Sequence, residues 1–369
     1  MRILIAPDKF KGSLTASEVV SAIRDGFLSV FPDANFDLVP VADGGEGTAE
    51  IFREALGGQR VEVAAHDALG RPVTASYAWI PSSEIAVIDM SSASGLWRIA
   101  DAERNPRRAS TFGTGELMAN AIARGATNLI IGLGGSATND AGAGMAAALG
   151  WMFLDERNET VAPHPAEFPR IRQIIPPETP LSCSVTGLCD VKNPLLGELG
   201  ATRVFGPQKG VTPETLASLE DGLAHLANLY REQMGRDFIE TPGAGAAGGL
   251  GFGLLAFCHG SLEPGFQAVA RLMDLDSKAA GADLVITGEG RLDAQSLHGK
   301  APYEIARLAA RHGKPVIGFA GVVEAALPEF NACVPIADGP LTLDESRSRA
   351  AELLRAAAAR TARLLRINL

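Results

Sequence analysis

Cysteine is scarce in this 369-residue chain, and no cysteine lies in a metal-binding pattern. Cys183, Cys189, Cys258 and Cys333 form no Cys-x-x-Cys pair and show no zinc-type spacing. So few thiols in so long a chain are typical of a reducing compartment. The six histidines are scattered as well, without the spacing of metal ligands, so we expect no histidine-based metal site.

Long apolar runs and an excess of positive charge are also missing. No stretch of about 18 apolar residues occurs, which argues against a membrane-spanning helix, and the apolar N-terminus is too short for a signal peptide. The formal net charge of −10 argues against binding to nucleic acid or to anionic membranes. We therefore expect a cytoplasmic protein without such partners. The sequence leaves monomer and homodimer open.

Several enzyme signatures are absent. The chain has no Walker A motif, because its Gly-Lys pairs at 299–300 and 313–314 lack the upstream glycine and the following hydroxyl residue. It also has no HExxH, GxSxG, HRD or DFG sequence. These absences argue against a P-loop nucleotidase, an HExxH metallopeptidase, a hydrolase with a nucleophile elbow and a protein kinase.

What is present predicts an α/β protein. The first helix opens with the capping box Thr15-Ala-Ser-Glu18, and Thr342-Leu-Asp-Glu345 opens a last helix that runs to about Ile367. Two short strands lie near the start of the chain and three near its end, at 2–7, 36–41, 283–287, 315–320 and 333–336. Five such strands, interspersed with helices, suit one open parallel sheet.

The stretch between these strands has a different pattern. Segments 59–66, 73–79 and 85–90 lie close together with turns between them, which predicts an antiparallel meander. A helix at 114–124, a strand at 127–132 and a helix at 138–150 follow. We therefore predict a discontinuous first domain, residues 1–60 and 280–369, and an inserted mixed-sheet α/β domain, residues 61–279.

The glycine-rich turn LIIGLGGSATNDAGAG at 129–144 has three interpretations. Gly132, Gly134 and Ala137 fit the dinucleotide fingerprint G-x-G-x-x-G/A, with Asp155 as the ribose-binding acid. GLGGSA also resembles the GLGSSA loop of galactokinase-type metabolite kinases, in which backbone amides at a helix N-terminus hold nucleotide phosphates. The third interpretation is a tight strand-to-helix turn without a ligand.

Four polar residues crowd the predicted start of the helix after this turn. One N-cap needs only one of Ser136, Thr138, Asn139 and Asp140. We therefore favour a polar binding site over a simple turn.

Polar side chains also follow three strands of the predicted parallel sheet, in loops 8–14, 42–47 and 288–300. Ligands gather outside the carboxyl ends of such strands. The loops mix bases with carboxylates, which suits an anionic substrate together with a hard divalent cation. The residues concerned are Asp8, Lys9, Lys11, Ser13, Asp43, Gly44, Gly45, Glu46, Glu289, Arg291, Asp293, Gln295, Ser296 and Lys300.

A further polar segment is CDVKNP at 189–194. Asp190 and Asn193 are suited to ligating Mg²⁺ or orienting a hydroxyl, and equally to an Asx-turn before the proline. Lys209, in the nearby GPQKG sequence, is more typical of a solvated surface charge.

Six segments together resemble the type-1 glycerate kinase family. They occur in the family's order and span almost the whole chain: APDKFKGSLTA (6–16), VPVADGGEGT (39–48), GLGGSATNDAG (132–142), CDVKNPL (189–195), GPQKG (206–210) and TGEGRLDAQSLHGKAP (287–302). The third segment often ends in paired glycines in the family, where this chain has Ala141-Gly142.

The resemblance implies phosphorylation of D-glycerate by ATP with Mg²⁺, commonly giving 2-phosphoglycerate. A 3-phosphoglycerate product and another small hydroxy acid or sugar as substrate stay open. A metabolite sensor and a dehydrogenase are the alternatives from other classes. The resemblance also implies one flavodoxin-like domain and an insertion similar to a restriction-endonuclease core.

The site roles expected with this resemblance divide into three groups. Amides of Gly134, Gly135 and Ser136 at a helix N-terminus would hold nucleotide phosphates. Groups that neutralise the phosphoryl group or hold glycerate are Lys11, Ser13 and Arg291, with Lys9, Gly44, Gly45, Asn139 and Asp293 as further binding residues. Asp190 with Asn193 or Glu289 would hold Mg²⁺, and Asp43 or Asp190 would accept the hydroxyl proton.

Overall fold

The computed structural model of the chain describes residues 1–41, 47–292, 300–324 and 327–367. Its strands are β1 (Arg2–Ile5), β2 (Asn35–Leu38), β3 (Gln59–His66), β4 (Pro72–Ile80), β5 (Ile85–Asp89), β6 (Asn128–Gly132), β7 (Met152–Leu154), β8 (Gln173–Ile175), β9 (Ser184–Leu188), β10 (Ser261–Glu263), β11 (Leu284–Leu292), β12 (Val316–Val323) and β13 (Ala332–Pro335).

Helices of very different lengths connect these strands. They are α1 (Ala16–Leu28), α2 (Thr48–Ala55), α3 (Ser91–Ser94), α4 (Phe112–Ala123), α5 (Ala143–Ala148), α6 (Ala201–Phe205), α7 (Pro213–Met234), α8 (Ala246–Phe257), α9 (Gly265–Leu272), α10 (Leu275–Gly281), α11 (Ala301–Arg311), α12 (Leu343–Ser348) and α13 (Ala350–Arg366). In the described part of the chain, none of them has the length and apolar character that crossing a membrane requires.

Contacts divide the chain into two compact units. The terminal unit comprises Met1–Asp43 and Phe266–Leu369, and the inserted unit comprises Gly44–Gly265. The domain boundaries that we placed after residues 60 and 279 stay a prediction.

The terminal unit contains the predicted open parallel sheet, which is confirmed. Its five strands lie in the order β13-β12-β11-β1-β2, and each neighbouring pair is parallel. Counted within this unit alone, the order is 2-1-3-4-5, which is the flavodoxin-like order. In that order the chain changes direction between β1 and β11, so the carboxyl ends of these two strands open the crevice where such sheets bind ligands.

The core of the terminal unit lies between the sheet and the pair α1 and α13. Ile3, Ile286 and Phe319 of the sheet are fully buried there, in one cluster with apolar residues of both helices. The helices approach closely at Gly26, where an added Cβ would lie 2.6 Å from the Cβ of Ala358. Glycine is therefore required at this crossing.

The two predicted capping boxes are present. Thr15 accepts a hydrogen bond from the Glu18 amide at 3.3 Å, and the Glu18 carboxylate accepts the Thr15 amide at 2.8 Å. Thr342 forms the same box with Glu345. The single last helix predicted after Thr342 is wrong, because the chain leaves helical geometry at Arg349 (φ −101°, ψ 7°) and forms α12 and α13 instead.

The inserted unit contains a six-stranded mixed sheet in the order β10-β9-β6-β5-β4-β3. The pairs β3–β4 and β4–β5 are antiparallel, which confirms the predicted meander, whereas β5, β6, β9 and β10 run parallel. Buried apolar residues of the sheet join those of α4, α5 and α8 in one core cluster. The predicted α/β class, with one parallel and one mixed sheet, is therefore confirmed.

Candidate active site

Three parallel strands of the inserted unit end at one edge of its sheet. Asp89 at the end of β5 pairs with Gly132 at the end of β6, which pairs with Leu188 at the end of β9. The loops that follow these strands therefore start side by side, and one edge of the sheet carries both the glycine loop (133–142) and the Asp190 segment. Carboxyl ends of parallel strands are the usual place of ligands in such sheets.

The glycine loop exposes backbone donors. Gly135 has a φ of +72° and is exposed to solvent, and the amides of Gly134 and Gly135 donate to no acceptor in the described part of the chain. The loop is held from one flank, because the Leu96 amide donates to the Gly135 carbonyl at 2.8 Å and the Ala137 amide to the Ser94 carbonyl at 3.0 Å. Adjacent unpaired amides of this kind form an anion-binding concavity.

The helix predicted at 138–150 is present, but its predicted start is wrong, since α5 runs only from Ala143 to Ala148. The Asp140 carboxylate accepts the amides of Gly142 and Gly144, both at 3.2 Å, and so replaces the first helical hydrogen bonds. Ala141 and Gly142 also have positive φ values of 51° and 74°. The exposed amides of the loop therefore precede α5 by several residues instead of forming its N-terminus.

Asp140, near the end of the glycine loop, has a fully buried side chain. Besides the two glycine amides, its carboxylate accepts the amide and the hydroxyl of Thr111 at 2.7 and 2.8 Å. Burial raises the pKa of Asp140, and these hydrogen bonds oppose that effect because they favour the ionised form. The carboxylate thus ties the loop to the start of α4.

Lys209 is the functional candidate that sequence reasoning misjudged, because it is not a surface charge. The residue is only 1% exposed, and its Nζ donates to the Ser136 hydroxyl and to the Thr138 carbonyl, each at 2.7 Å. Burial lowers the pKa of Lys209 to about 7, although the negative charge of Asp140 opposes the shift. The sequence did contain one signal, because Lys209 lies between Gly206 and Gly210. Gly210 adopts a φ of +93°, a backbone conformation that favours glycine.

A second glycine-rich segment supports the loop from below. Ala247, Gly248 and Gly249 interrupt α8 with positive φ values, and the Gly248 carbonyl accepts the Ala141 amide at 3.0 Å. An added Cβ on Gly248 would lie 1.8 Å from the Thr138 carbonyl oxygen, so only glycine permits this approach. The two segments therefore determine each other's backbone path.

The side chain of Asn139 lies within this packing. It is fully buried, and its amide nitrogen donates to the Thr202 hydroxyl at 3.1 Å. Its Oδ1 has no hydrogen-bond partner in the described part of the chain. Asn139 therefore shapes the loop from inside, and its predicted role in binding stays a prediction.

The Asp190 segment follows β9 at the same edge. Asp190 is exposed, and its Oδ1 accepts the Gly265 amide at 3.0 Å at the start of α9. Asn193 donates from its side chain to the Leu199 carbonyl at 2.7 Å. Among the described residues, no group of three or more His, Cys, Asp or Glu side chains could hold a metal ion. One carboxylate with amide and phosphate oxygens is nevertheless a usual Mg²⁺ environment in enzymes that bind nucleotides, so the oxygens here fit that ion.

In the terminal unit, a cavity of about 530 Å³ opens where β1 and β11 end. Five predicted site residues line it together: Lys9, Lys11, Ser13, Glu289 and Arg291. The remaining polar side chains of its lining are Asp8, Lys300, Ser346 and Arg347. The structure thus brings the predicted loop 8–14 together with Glu289 and Arg291 where flavodoxin-like sheets bind ligands. The predicted loop start at residue 288 is wrong, because β11 continues to Leu292 and contains both residues.

Positive charge dominates this cavity. Glu289 is 8% exposed and pairs with Lys300 at 3.3 Å, and Arg291 pairs with Glu324 at 3.2 Å. Arg347, which sequence reasoning did not select, lies against the turn at Gly12, where an added Cβ would be 3.8 Å from its Nε. Because Arg347 comes from α12, far along the chain, no local pattern indicated it. The cavity is suited to a small anion.

Seven of the residues selected in the predicted loops lie outside the described residues: Asp43, Gly44, Gly45, Glu46, Asp293, Gln295 and Ser296. Their roles stay predictions.

Comparisons with known proteins agree on one family. The sequence model of the family described as "Glycerate kinase family" matches residues 3–366. A Halalkalibacterium halodurans protein named "Glycerate kinase" is 42% identical over 373 residues, covering 96% of each chain. An Escherichia coli K12 protein named "Glycerate 2-kinase" is 43% identical over 325 residues, covering 87% of this chain and 85% of its own.

A solved structure agrees with these sequences. The crystal structure of a Salmonella typhimurium LT2 protein, described as a glycerate kinase 2, superposes with a TM-score of 0.91 at 41% identity. The match covers 100% of this chain and 99% of the other. With the family match spanning nearly all of its length, the chain belongs to the glycerate kinase family of enzymes.

Proposed function

We propose that the chain transfers the terminal phosphoryl group of ATP to D-glycerate and releases ADP and 2-phosphoglycerate. The observation that carries this proposal is the cavity of the terminal unit, with Lys9, Lys11 and Arg291 at the β1–β11 crevice. The name of the Escherichia coli relative supports the 2-hydroxyl as acceptor. The four cysteines are free thiols, which supports a reducing compartment such as the cytoplasm.

Phosphoryl transfer depends mainly on positioning and on neutralising charge, which these side chains can supply. The guanidinium of Arg291 suits two-point binding of the glycerate carboxylate, and Lys11 suits the compact charge of a phosphoryl oxygen. Ser13 adds a hydroxyl at the same turn, where its Oγ donates to the Phe10 carbonyl at 3.1 Å. We assign these groups to the acid substrate and the transferred phosphoryl group.

The nucleotide phosphates are assigned to the glycine loop of the inserted unit. The unpaired amides of Gly134 and Gly135 supply donors that cannot lose their protons. Asp190 and Asn193 would hold Mg²⁺, which when bound neutralises phosphate charge. Glu289 is the weaker candidate ligand, because it is buried and already pairs with Lys300. We keep Asp43 and Asp190 as the two candidates for accepting the hydroxyl proton.

Phosphorus NMR of the reaction product tests the proposal. The purified chain is incubated with ATP, Mg²⁺ and D-glycerate, and we expect the resonance of 2-phosphoglycerate together with ADP. A 3-phosphoglycerate resonance would correct the acceptor position. ADP release with a sugar or another hydroxy acid, but not with glycerate, would reject the substrate.

Two substitutions test the assigned residues. We expect Lys11→Ala and Asp190→Asn each to lower kcat/KM for glycerate by more than about 10²-fold, the usual size of a chemical contribution. Lys314→Ala is the matched control. Lys314 lies just before the amino end of β12, whereas the cavity opens at the carboxyl ends of the strands. Near-normal rates in folded variants would remove Lys11 or Asp190 from the mechanism.

A further inference from the structure

We propose that Lys209 is the positioning residue of the nucleotide-phosphate loop. In this inference its ammonium group holds the Ser136 hydroxyl and the Thr138 carbonyl, so that Ser136 donates its hydrogen bond to a bound phosphate. The inference rests on the proposed function, because it takes the glycine loop as the site of the nucleotide. It adds a residue whose side chain acts through Ser136 instead of touching the substrate.

The direction of the hydrogen bonds carries the first step. Below its pKa of about 7, Lys209 carries an ammonium group that only donates, so the 2.7 Å contact then makes Ser136 Oγ an acceptor toward Lys209. The hydroxyl hydrogen of Ser136 must then point elsewhere, and it finds no acceptor in the described part of the chain. Ser136 directly follows the unpaired amides of Gly134 and Gly135. The loop thus offers a hydroxyl donor beside two amide donors.

The same ammonium determines the backbone path of the loop. Its second contact, 2.7 Å to the Thr138 carbonyl, joins the two ends of the segment 136–138 to one buried point. Thr138 is also the residue against which Gly248 packs. The positions of the loop donors therefore depend on Lys209, although its Nζ is buried beneath them.

The burial of Lys209 indicates that its role is more than packing. Lysine is almost never fully buried, and a hydrophobic side chain of similar volume is often at least as stable in such a position. Here the backbone is shaped to bring the lysine in. Gly206 would place an added Cβ 2.1 Å from the Thr202 carbonyl, and Gly210 has a φ of +93°. A fold that needed only volume at this point would not require two glycines and a buried charge.

Binding of ADP, measured by calorimetry at about pH 6, where Lys209 carries its proton, tests the inference without turnover. The variants are Lys209→Met, Ser136→Ala and the double variant. We expect each single change to raise the Kd of ADP by about 10- to 100-fold, the range for a hydrogen bond to a charged group. Because both changes remove the same donor, the double variant should be no weaker than the weaker single variant. Such non-additivity is the sign of two residues that act together.

Controls separate this role from a structural one. Lys314→Met makes the same change in the terminal unit and should leave the Kd unchanged. An unchanged Kd in Lys209→Met, or effects that add fully in the double variant, would overturn the inference. If Lys209→Met does not fold, Ser136→Ala decides alone, and an unchanged Kd in that variant rejects the inference.

The outcome is distinguishable from failure of the proposed function. If the wild type binds ADP in a Lys209-dependent way but does not phosphorylate glycerate, only the substrate assignment fails. If the wild type phosphorylates glycerate while ADP affinity ignores Lys209 and Ser136, only the present inference fails. A wild type that binds no ADP overturns the assignment of the loop and the inference together.

Discussion

Replacing the buried Lys209 by methionine should change how stability depends on pH. The pKa of Lys209 is about 7 in the folded chain, against 10.5 for a lysine in solution. Between these values the unfolded chain binds a proton that the folded chain does not bind. The free energy of unfolding of the wild type therefore rises with pH across this window, and the contribution of this group is lost as the pH falls through about 7.

The size of the effect follows from the two pKa values. One proton of difference is worth about 1.4 kcal/mol per pH unit. Between pH 7.5 and 9.5, with the lysine partly protonated at the lower end, this group changes the free energy of unfolding by roughly 2 to 3 kcal/mol. In Lys209→Met this contribution is absent. The free energy of unfolding of the wild type should thus rise relative to that of the variant by roughly 2 to 3 kcal/mol across the interval.

The difference between the two proteins is the quantity to measure. Burial raises the pKa of all four thiols, which lowers stability at alkaline pH, but it does so in both proteins alike. The Thr138 carbonyl left unpaired in the variant shifts its stability at every pH and leaves the slope unchanged. The difference in slope therefore reports on the proton of Lys209 together with the buried Asp140 carboxyl group, whose charge acts on it.

Urea unfolding followed by tryptophan fluorescence is the assay. The chain has three tryptophans, all in the inserted unit: Trp79, Trp97 and Trp151. Their emission therefore reports on the unit that contains Lys209. Curves are recorded at pH 7.5, 8.5 and 9.5 for both proteins. Parallel pH dependences would show that the lysine keeps its proton throughout, and the reasoning about its burial would be refuted.

Three further outcomes are expected. Thr15→Ala should lower the free energy of unfolding of the terminal unit by about 1 kcal/mol, the usual value of an N-cap. This difference between variant and wild type should become smaller as the pH falls through the lowered pKa of Glu18, because the protonated Glu18 no longer accepts the hydrogen bonds of Thr15. Ala141→Gly should raise the free energy of unfolding of the inserted unit, measured in urea, by less than about 1 kcal/mol. Glycine relieves the strain of the positive φ, and this gain slightly exceeds the stabilisation lost with the buried methyl group. A clear decrease in the free energy of unfolding would contradict this. Arg291→Ala should raise KM for glycerate by about 10- to 100-fold and leave KM for ATP unchanged, as measured by steady-state kinetics.

The sheets could be predicted from the sequence because their signals are local. Short apolar runs bounded by polar loops located all five strands of the terminal sheet, and alternation with turns located the meander β3–β5. Capping boxes located the starts of α1 and α12 for the same reason, since each box lies within four consecutive residues. Where all the residues that determine an element lie within that element's own segment, the sequence is sufficient to predict it.

The glycine loop shows where local signals end. Its residues suggested a helix from 138, and intrinsic propensity does not contradict that. The helix is delayed because Asp140 is bonded to Thr111 and Ala141 is bonded to Gly248, both distant in sequence. Lys209 was misjudged for the same reason, because nothing within GPQKG states that its neighbours in space are Ser136 and Thr138.

Several unfavourable features of the inserted unit coincide at this loop. Ala141 and Ala247 both adopt positive φ, although alanine has no side-chain group to compensate. Ala141 donates its amide to the Gly248 carbonyl, and Ala247 directly precedes Gly248. The side chains of Asp140 and Lys209, both titratable, are also buried in this unit. Each feature lowers stability, and a fold selected for stability alone would be expected to distribute or remove them. These destabilising features lie in the loop that carries the amide donors of Gly134 and Gly135, or contact it. A preorganised anion site requires such a rigid support even where the support lowers stability, because its donors must not move when the anion binds.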